Sequence, residues 1–157
     1  MSVARYLCEN YIAGCIWDYP DVKDRQYYSD GSLKGGRYKN IEVSISRKND
    51  KDSQRTQTLF KDGKPVLIHI NGKQATNPAF SWYHELAHIE EPEGTGPDPV
   101  KAELIADKTA IKKLGMSKKD YQKWLLSSDR SKDTPVHIKA RTELHNNFAK
   151  YLEESYR

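Results

Sequence analysis

The sequence has little cysteine and no long apolar run. Its two cysteines, Cys8 and Cys15, would lie about 10 Å apart along one helix, beyond the reach of a disulfide. No window approaches the roughly 18 consecutive apolar residues that mark a membrane span. Residues 1–17 also lack the uninterrupted apolar core of a secretory signal. We therefore expect a cytoplasmic protein with reduced thiols that does not enter a membrane.

The positive charge is modest and lies mainly in the C-terminal part. The chain of 157 residues carries a formal net charge of +4. Residues 101–157 carry 13 basic and 8 acidic side chains, and the two kinds are interleaved. Interleaved charges are typical of a solvated surface and argue against a nucleic-acid-binding face. The length suits one domain over 1–157.

The periodicity of apolar residues and the positions of turn and helix-capping residues predict an α+β fold. Ile41–Ser46 alternates apolar and polar residues, and Asp62-Gly63 separates two strand-like runs as in a hairpin. Asn77-Pro78 and Asp98-Pro99 each combine a helix cap with a proline at the first helical position. The expected order is an N-terminal helix over 1–20, a polar connection, a small sheet over 40–72, a metal-binding core over 77–115 and C-terminal helices over 117–157.

Three features of the predicted sheet and its neighbouring helix help to define which residues are structural and which could bind a substrate. Val66–Ile70 is the most apolar strand, and it is either an edge that receives an extended substrate or a fully paired central strand. His69 within it is interpreted as a hydrogen-bonded sheet residue rather than a ligand. Phe80 and Trp82, which precede the motif described next, are interpreted as core anchors of their helix.

One five-residue motif carries most of the chemical information: His84-Glu85-Leu86-Ala87-His88. It falls in a predicted helix, where residues four apart share a face, so both imidazoles can bind one zinc ion. Glu85 can then act as the base that takes a proton from water. Catalytic zinc needs a third protein ligand and an open position, so another element must supply that ligand.

The next helix offers two carboxylates on its apolar stripe. Glu103 and Asp107 are four residues apart and face the same way as Leu104 and Ile111. Carboxylates on a buried face are costly unless a cation or hydrogen bonds compensate them. We assign Glu103 as the third zinc ligand and Asp107 as the residue that orients His84 or His88 through its free ring nitrogen. The reverse assignment, with Asp107 as the ligand, remains the alternative.

These residues carry a resemblance to a known family. His84-Glu85-Leu86-Ala87-His88 followed by Glu103-Leu104-Ile105-Ala106-Asp107 resembles the HExxH…ExxA(D/N) pattern of gluzincin-type metallopeptidases, and within them the ImmA/IrrE-like group. The resemblance covers residues 77–115. It implies a minimal zincin-like fold, in which a small, mostly antiparallel sheet packs against the motif helix and the Glu-bearing helix. It also implies zinc on His84, His88 and Glu103, with Glu85 as base.

The sequence thus predicts a zinc-dependent metallopeptidase that hydrolyses peptide bonds in an intracellular protein or peptide substrate. The alternative is a binding protein on a zincin scaffold, whose metal is structural or vestigial and which acts by protein–protein interaction. Glu85 favours the enzyme, because a purely structural site has no use for a carboxylate there. A donor for the oxyanion is also required. The candidates, among which the sequence does not choose, are Tyr83, Tyr121, His137 and His145.

Overall fold

The computed structural model describes residues 19, 21–51, 54–73 and 77–153. It confirms the α+β class, with a five-stranded sheet followed by five helices in this part of the chain. The predicted N-terminal helix and both cysteines lie outside the described residues. The strands are β1 (Lys23–Tyr27), β2 (Leu33–Tyr38), β3 (Ile41–Ile45), β4 (Gln57–Lys61) and β5 (Lys64–Ile70); the helices are α1 (Pro78–Glu90), α2 (Pro99–Leu114), α3 (Lys118–Ser127), α4 (Pro135–Asn146) and α5 (Phe148–Glu153).

The internal contacts divide the chain into two compact units, residues 1–82 and 83–157, and the boundary falls inside α1. None of the helices in the described ranges combines the length and apolar character needed to cross a bilayer. Each unit is described by itself below.

The sheet of the first unit has the strand order β1-β2-β3-β5-β4. Three of its neighbouring pairs are antiparallel and β3 pairs with β5 in parallel, so the sheet is mixed and mostly antiparallel. Asp62 and Gly63 turn the β4–β5 hairpin with φ angles of 53° and 75°, the left-handed pair of a type I′ turn. β5 is hydrogen-bonded on both sides, so the edge interpretation of Val66–Ile70 is wrong and the central one is correct.

Strands β1 and β2 stand where a polar connection was expected, and the sheet therefore begins well before residue 40. The reason lies in Gly35 and Gly36, which read as loop residues in the sequence. A Cβ at Gly35 would lie 2.3 Å from the carbonyl oxygen of Val43, and one at Gly36 would lie 2.5 Å from that of Lys23. Neighbouring backbones approach too closely for a side chain, so glycine here marks strand contact rather than a turn.

Aliphatic and aromatic side chains fill the core of the first unit. Ile68 and Ile70 are fully buried, and Trp82 meets the rings of Tyr19 and Tyr38 edge-on at centroid distances of 5.6 and 5.4 Å. Phe80 is also buried, so both predicted anchors of α1 are core residues. His69 is buried in the sheet, with its Nδ1 3.3 Å from the Ser44 hydroxyl, as predicted.

Helices of the second unit begin and end at residues that the sequence indicated. The Asp98 side chain caps α2, and Gly115 ends it with a φ of 63°. Ser117 and Thr134 form capping boxes at α3 and α4. α2 packs against α4. The last two helices are separated at Asn147, where the backbone leaves helical geometry (φ −121°, ψ 31°), and α5 begins at Phe148.

Candidate metal centre

Two imidazoles on α1 converge one helical turn apart. The Nε2 atoms of His84 and His88 lie 3.2 Å from each other. His84 is 5% exposed and His88 is partly buried. Spacing of four residues on a helix places both side chains on one face, so the geometry follows from the motif's position within α1.

The other ring nitrogen of each histidine already has an acceptor. His84 Nδ1 lies 2.6 Å from the Asp107 carboxylate, and His88 Nδ1 lies 2.7 Å from the carbonyl oxygen of Gly94. Since a carbonyl oxygen only accepts, Nδ1 of His88 carries the hydrogen. The ionised Asp107 carboxylate also only accepts, so Nδ1 of His84 carries a hydrogen as well. In the neutral form of each ring, Nε2 therefore carries the lone pair, which is the arrangement that metal-ligating histidines adopt.

Glu103 on α2 completes a triangle of candidate ligand residues, with a different carboxylate oxygen facing each imidazole. Its Oε2 lies 3.0 Å from His84 Nε2, and its Oε1 lies 3.3 Å from His88 Nε2. Two ligand atoms at about 2.0–2.1 Å from a tetrahedral zinc ion would lie roughly 3.3 Å apart. The contact between the two imidazoles, and the contact of each imidazole with its nearest Glu103 oxygen, have about that spacing. Glu103 Oε2 is also buried and accepts no directed hydrogen bond, as expected of an oxygen that faces a cation.

The electrostatics of this cluster favour positive charge at the Nε2 atoms. Burial alone would lower the pKa of His84, but contact with the carboxylates of Asp107 and Glu103 raises it to about 10. Burial would also lower the pKa of His88, but its contact with the Glu103 carboxylate raises that pKa above its ordinary value. Burial would raise the pKa of Glu103, but the imidazoles of His137, His84 and His88 hold it far below its ordinary value. A metal cation competes with protons for these same atoms.

Asp107 is the buried residue behind His84, and both of its carboxylate oxygens accept hydrogen bonds. Its Oδ2 accepts from the Tyr121 hydroxyl at 2.5 Å and from Arg141 Nε at 3.1 Å. Arg141 also donates to Asp133 at 2.7 Å. Burial would raise the pKa of Asp107, but the Arg141 charge and the bond from His84 keep it well below its ordinary value. Asp107 thus faces Nδ1 of His84, whereas Glu103 faces both Nε2 atoms.

Glu85 lies beside the triangle rather than in it. Its side chain is 3% exposed, and Oε1 is 3.8 Å from His84 Nε2. The residues that could hold an ion include two overlapping groups, one of His84, Glu85 and His88 and another of His84, Glu103 and His137. The 3.8 Å between Glu85 Oε1 and His84 Nε2 exceeds the roughly 3.3 Å expected between two ligands of one zinc ion. A carboxylate that lies beside a metal site without binding the ion is suited to move protons.

His137 on α4 is the donor candidate that the fold brings to the cluster. Its Nε2 lies 3.3 Å from Glu103 Oε2. Its Nδ1 accepts from the backbone N–H of Thr134 at 3.3 Å and lies 2.7 Å from the Thr134 hydroxyl. Because a backbone N–H only donates, the hydrogen of the neutral ring is on Nε2. The orientation is the reverse of that in His84 and His88, so His137 presents a donor to the cluster.

The other donor candidates do not have that orientation. The Tyr121 hydroxyl donates to Asp107. Nε2 of His145 is buried with no hydrogen-bond partner, and no described contact joins His145 or Tyr83 to the ligand triangle. Sequence reasoning did not single out Arg141, Asp133 or Gly94. Arg141 had a detectable signal, since it is a charged residue on the same helix face as Leu144.

No protein-family model, curated protein or solved structure matches this chain.

The first prediction concerns Gly94, whose carbonyl holds His88. A Cβ there would lie 2.3 Å from the backbone oxygen of Ala87, so Gly94→Ala must displace the loop and its carbonyl. We expect zinc affinity, measured by competition with a chromophoric chelator, to fall about 10- to 100-fold, as for other losses of an outer hydrogen bond. Gly96→Ala is the control, because its nearest contact would be 3.3 Å. Equal affinities of the two variants would contradict the role of Gly94.

The second prediction concerns Arg141, the buried counterion of Asp107. Arg141→Met removes the guanidinium counterion of Asp107, and breaking a buried pair costs about 3–5 kcal/mol. Denaturant unfolding of the metal-free protein should show a loss of that order. Arg130→Met is the matched control: Arg130 is more exposed and lies 3.8 Å from Asp133, and exposed pairs contribute about 0–1 kcal/mol. A loss no larger than the control's would refute the ion pair's importance.

Proposed function

We propose that the chain is a zinc-dependent metallopeptidase that hydrolyses peptide bonds in an intracellular protein substrate. The observation that carries the proposal is the ligand triangle of His84, His88 and Glu103, with edges of 3.2, 3.0 and 3.3 Å. Both histidines have their Nδ1 hydrogens engaged elsewhere. Three protein ligands leave the fourth tetrahedral position open, which is the feature of catalytic rather than structural zinc.

The assignment of Asp107 as ligand is the weaker alternative. Its oxygens accept from His84 Nδ1, Tyr121 and Arg141. Binding a metal through Asp107 would require those bonds to break and would leave a buried guanidinium without its partner. Glu103 needs no such rearrangement, so we assign it as the third ligand.

The surrounding residues have distinct roles in the proposed reaction. His84, His88 and Glu103 would hold a zinc ion, which would supply a Lewis acid for the peptide carbonyl and would make a water molecule more acidic. Glu85 accepts the proton of that water and returns it to the leaving amine. The Nε2–H of His137 donates to the oxyanion that develops on the carbonyl oxygen. Asp107 and Gly94 fix the ring orientations of His84 and His88.

The third prediction separates proton transfer from metal binding. Glu85→Gln keeps the shape of the side chain and removes the base, so zinc content and folding should be unchanged. Loss of general acid–base catalysis should lower turnover about 100- to 10,000-fold. The assay is mass-spectrometric detection of new termini after incubation with a mixture of peptides. Glu90→Gln, an exposed change on the same helix, should leave cleavage intact, and full cleavage by Glu85→Gln would refute the mechanism.

A second candidate function follows from the position of His137. If its ring reversed its tautomer, His84, His88, Glu103 and His137 would provide four protein ligands, a closed site typical of structural zinc. The protein would then be a binding module. The hydrogen bond from the Thr134 backbone to His137 Nδ1 opposes that tautomer, and we therefore favour the enzyme.

The fourth prediction distinguishes these two functions. For the enzyme, His137→Ala should keep zinc affinity within a few-fold and lower turnover about 100- to 1,000-fold, the usual effect of removing one oxyanion donor. For the structural site, the same change removes a ligand, and zinc affinity itself should fall sharply. His145→Ala, on the same helix, is the control and should change neither quantity. A sharp fall in zinc affinity would overturn the catalytic role of His137.

A further inference from the structure

A concave surface in residues 83–157 is lined by none of the residues of the candidate metal centre. It is a groove of about 420 Å³, within the size range of ligand-binding pockets. We call it the lysine groove. Its lining combines two apolar residues, a threonine, three lysines and one glutamate: Pro92, Ile105, Thr109, Lys108, Lys112, Lys113 and Glu91.

Helix geometry places the lysine groove on the side of α2 opposite to the metal centre. At about 100° per residue, Ile105 and Lys112 project roughly 160–180° away from the mean direction of Glu103 and Asp107. A ligand in the groove therefore contacts the outer face of α2 while the inner face contacts the ion. The groove is suited to recognition and not to the bond-breaking step.

The three lysines have no carboxylate partner within the part of the chain that the structure describes. No ion pair or hydrogen bond joins Lys108, Lys112 or Lys113 to an acidic side chain there. Lys112 and Lys113 lie in the last turn of α2, where positive charge also complements the helix dipole. Lys108 is in the middle of the helix and half-buried, so the dipole does not account for it. An anionic partner would.

We propose that the lysine groove is an exosite that binds an acidic segment of the substrate containing an aliphatic side chain. That the bound segment belongs to a substrate rests on the proposed function, whereas the binding of an acidic segment does not. Lysines attract carboxylates electrostatically, and Ile105 and Pro92 offer an apolar floor.

Three features of the lining favour an acidic peptide over a nucleic acid. It contains no aromatic ring on which a base could stack, although stacking is the usual mode for single strands. It contains no arginine for bidentate phosphate contact. Glu91, which also lines the groove, would repel a continuous polyanion, whereas a peptide can place a neutral residue opposite it.

The test is direct binding to the Glu85→Gln protein, so that cleavage does not interfere. The probe is a fluorescein-labelled peptide, acetyl-Glu-Glu-Leu-Glu-Glu-amide, followed by fluorescence anisotropy at low and high salt. The groove variant is Lys108→Gln/Lys112→Gln/Lys113→Gln. Its charge-matched control is Lys118→Gln/Lys119→Gln/Lys123→Gln, three exposed lysines of α3. Thr109→Phe fills the groove without changing charge and serves if the triple variant does not fold.

We expect salt-sensitive binding to the wild-type groove and binding roughly tenfold weaker in the groove variant, since three surface ion pairs with the peptide are lost. The α3 control should differ less than twofold, Thr109→Phe should weaken binding, and a Gln-for-Glu peptide should not bind. Equal weakening by both triple variants would show nonspecific attraction and overturn the proposal. Tighter binding of a labelled oligonucleotide that is lost with the groove lysines would assign the site to nucleic acid instead. Because binding needs no turnover, these outcomes are independent of whether the protein is a peptidase.

Discussion

The arrangement of the candidate metal centre depends on one buried charge, the carboxylate of Asp107. An isolated carboxylate in a protein interior would be too costly to keep ionised. Here three donors, from α1, α3 and α4, compensate it: His84, Tyr121 and Arg141. The carboxylate in turn holds the Nδ1 hydrogen of His84 and so turns Nε2 toward Glu103. Helices that are far apart in the sequence are thereby made part of the same site.

The second histidine is held by a different device. The loop after α1 brings the Gly94 carbonyl to His88 Nδ1 at 2.7 Å, and the absence of a side chain at Gly94 permits the approach to the α1 backbone. One histidine is thus oriented by a charge and the other by a backbone dipole. With both rings fixed before an ion binds, little side-chain freedom is lost on binding, which is the benefit of a preorganised outer layer of hydrogen bonds.

Local signals in the sequence were sufficient for the helices that carry this cluster. Asn77-Pro78 and Asp98-Pro99 specify where α1 and α2 begin, and two carboxylates on an apolar stripe indicated a buried cation or hydrogen-bond site. The packing of residues that are far apart in the sequence was not predictable in the same way. Asp107 and Arg141 are separated by 34 residues, and periodicity does not say which faces of two helices meet. Strands β1 and β2 were missed because close backbone approach requires glycine, which resembles a loop signal.

X-ray absorption spectroscopy of the zinc-loaded protein would test the proposed ligand set most directly. The account predicts about one zinc per chain, with two imidazole nitrogens and oxygen ligands at roughly 2.0–2.2 Å, and loss of the ion in Glu103→Ala. It also predicts an unchanged spectrum in His137→Ala. Three imidazole ligands in the wild type, one of them lost in His137→Ala, would contradict the open site. A folded protein that refuses zinc would contradict the metal centre itself.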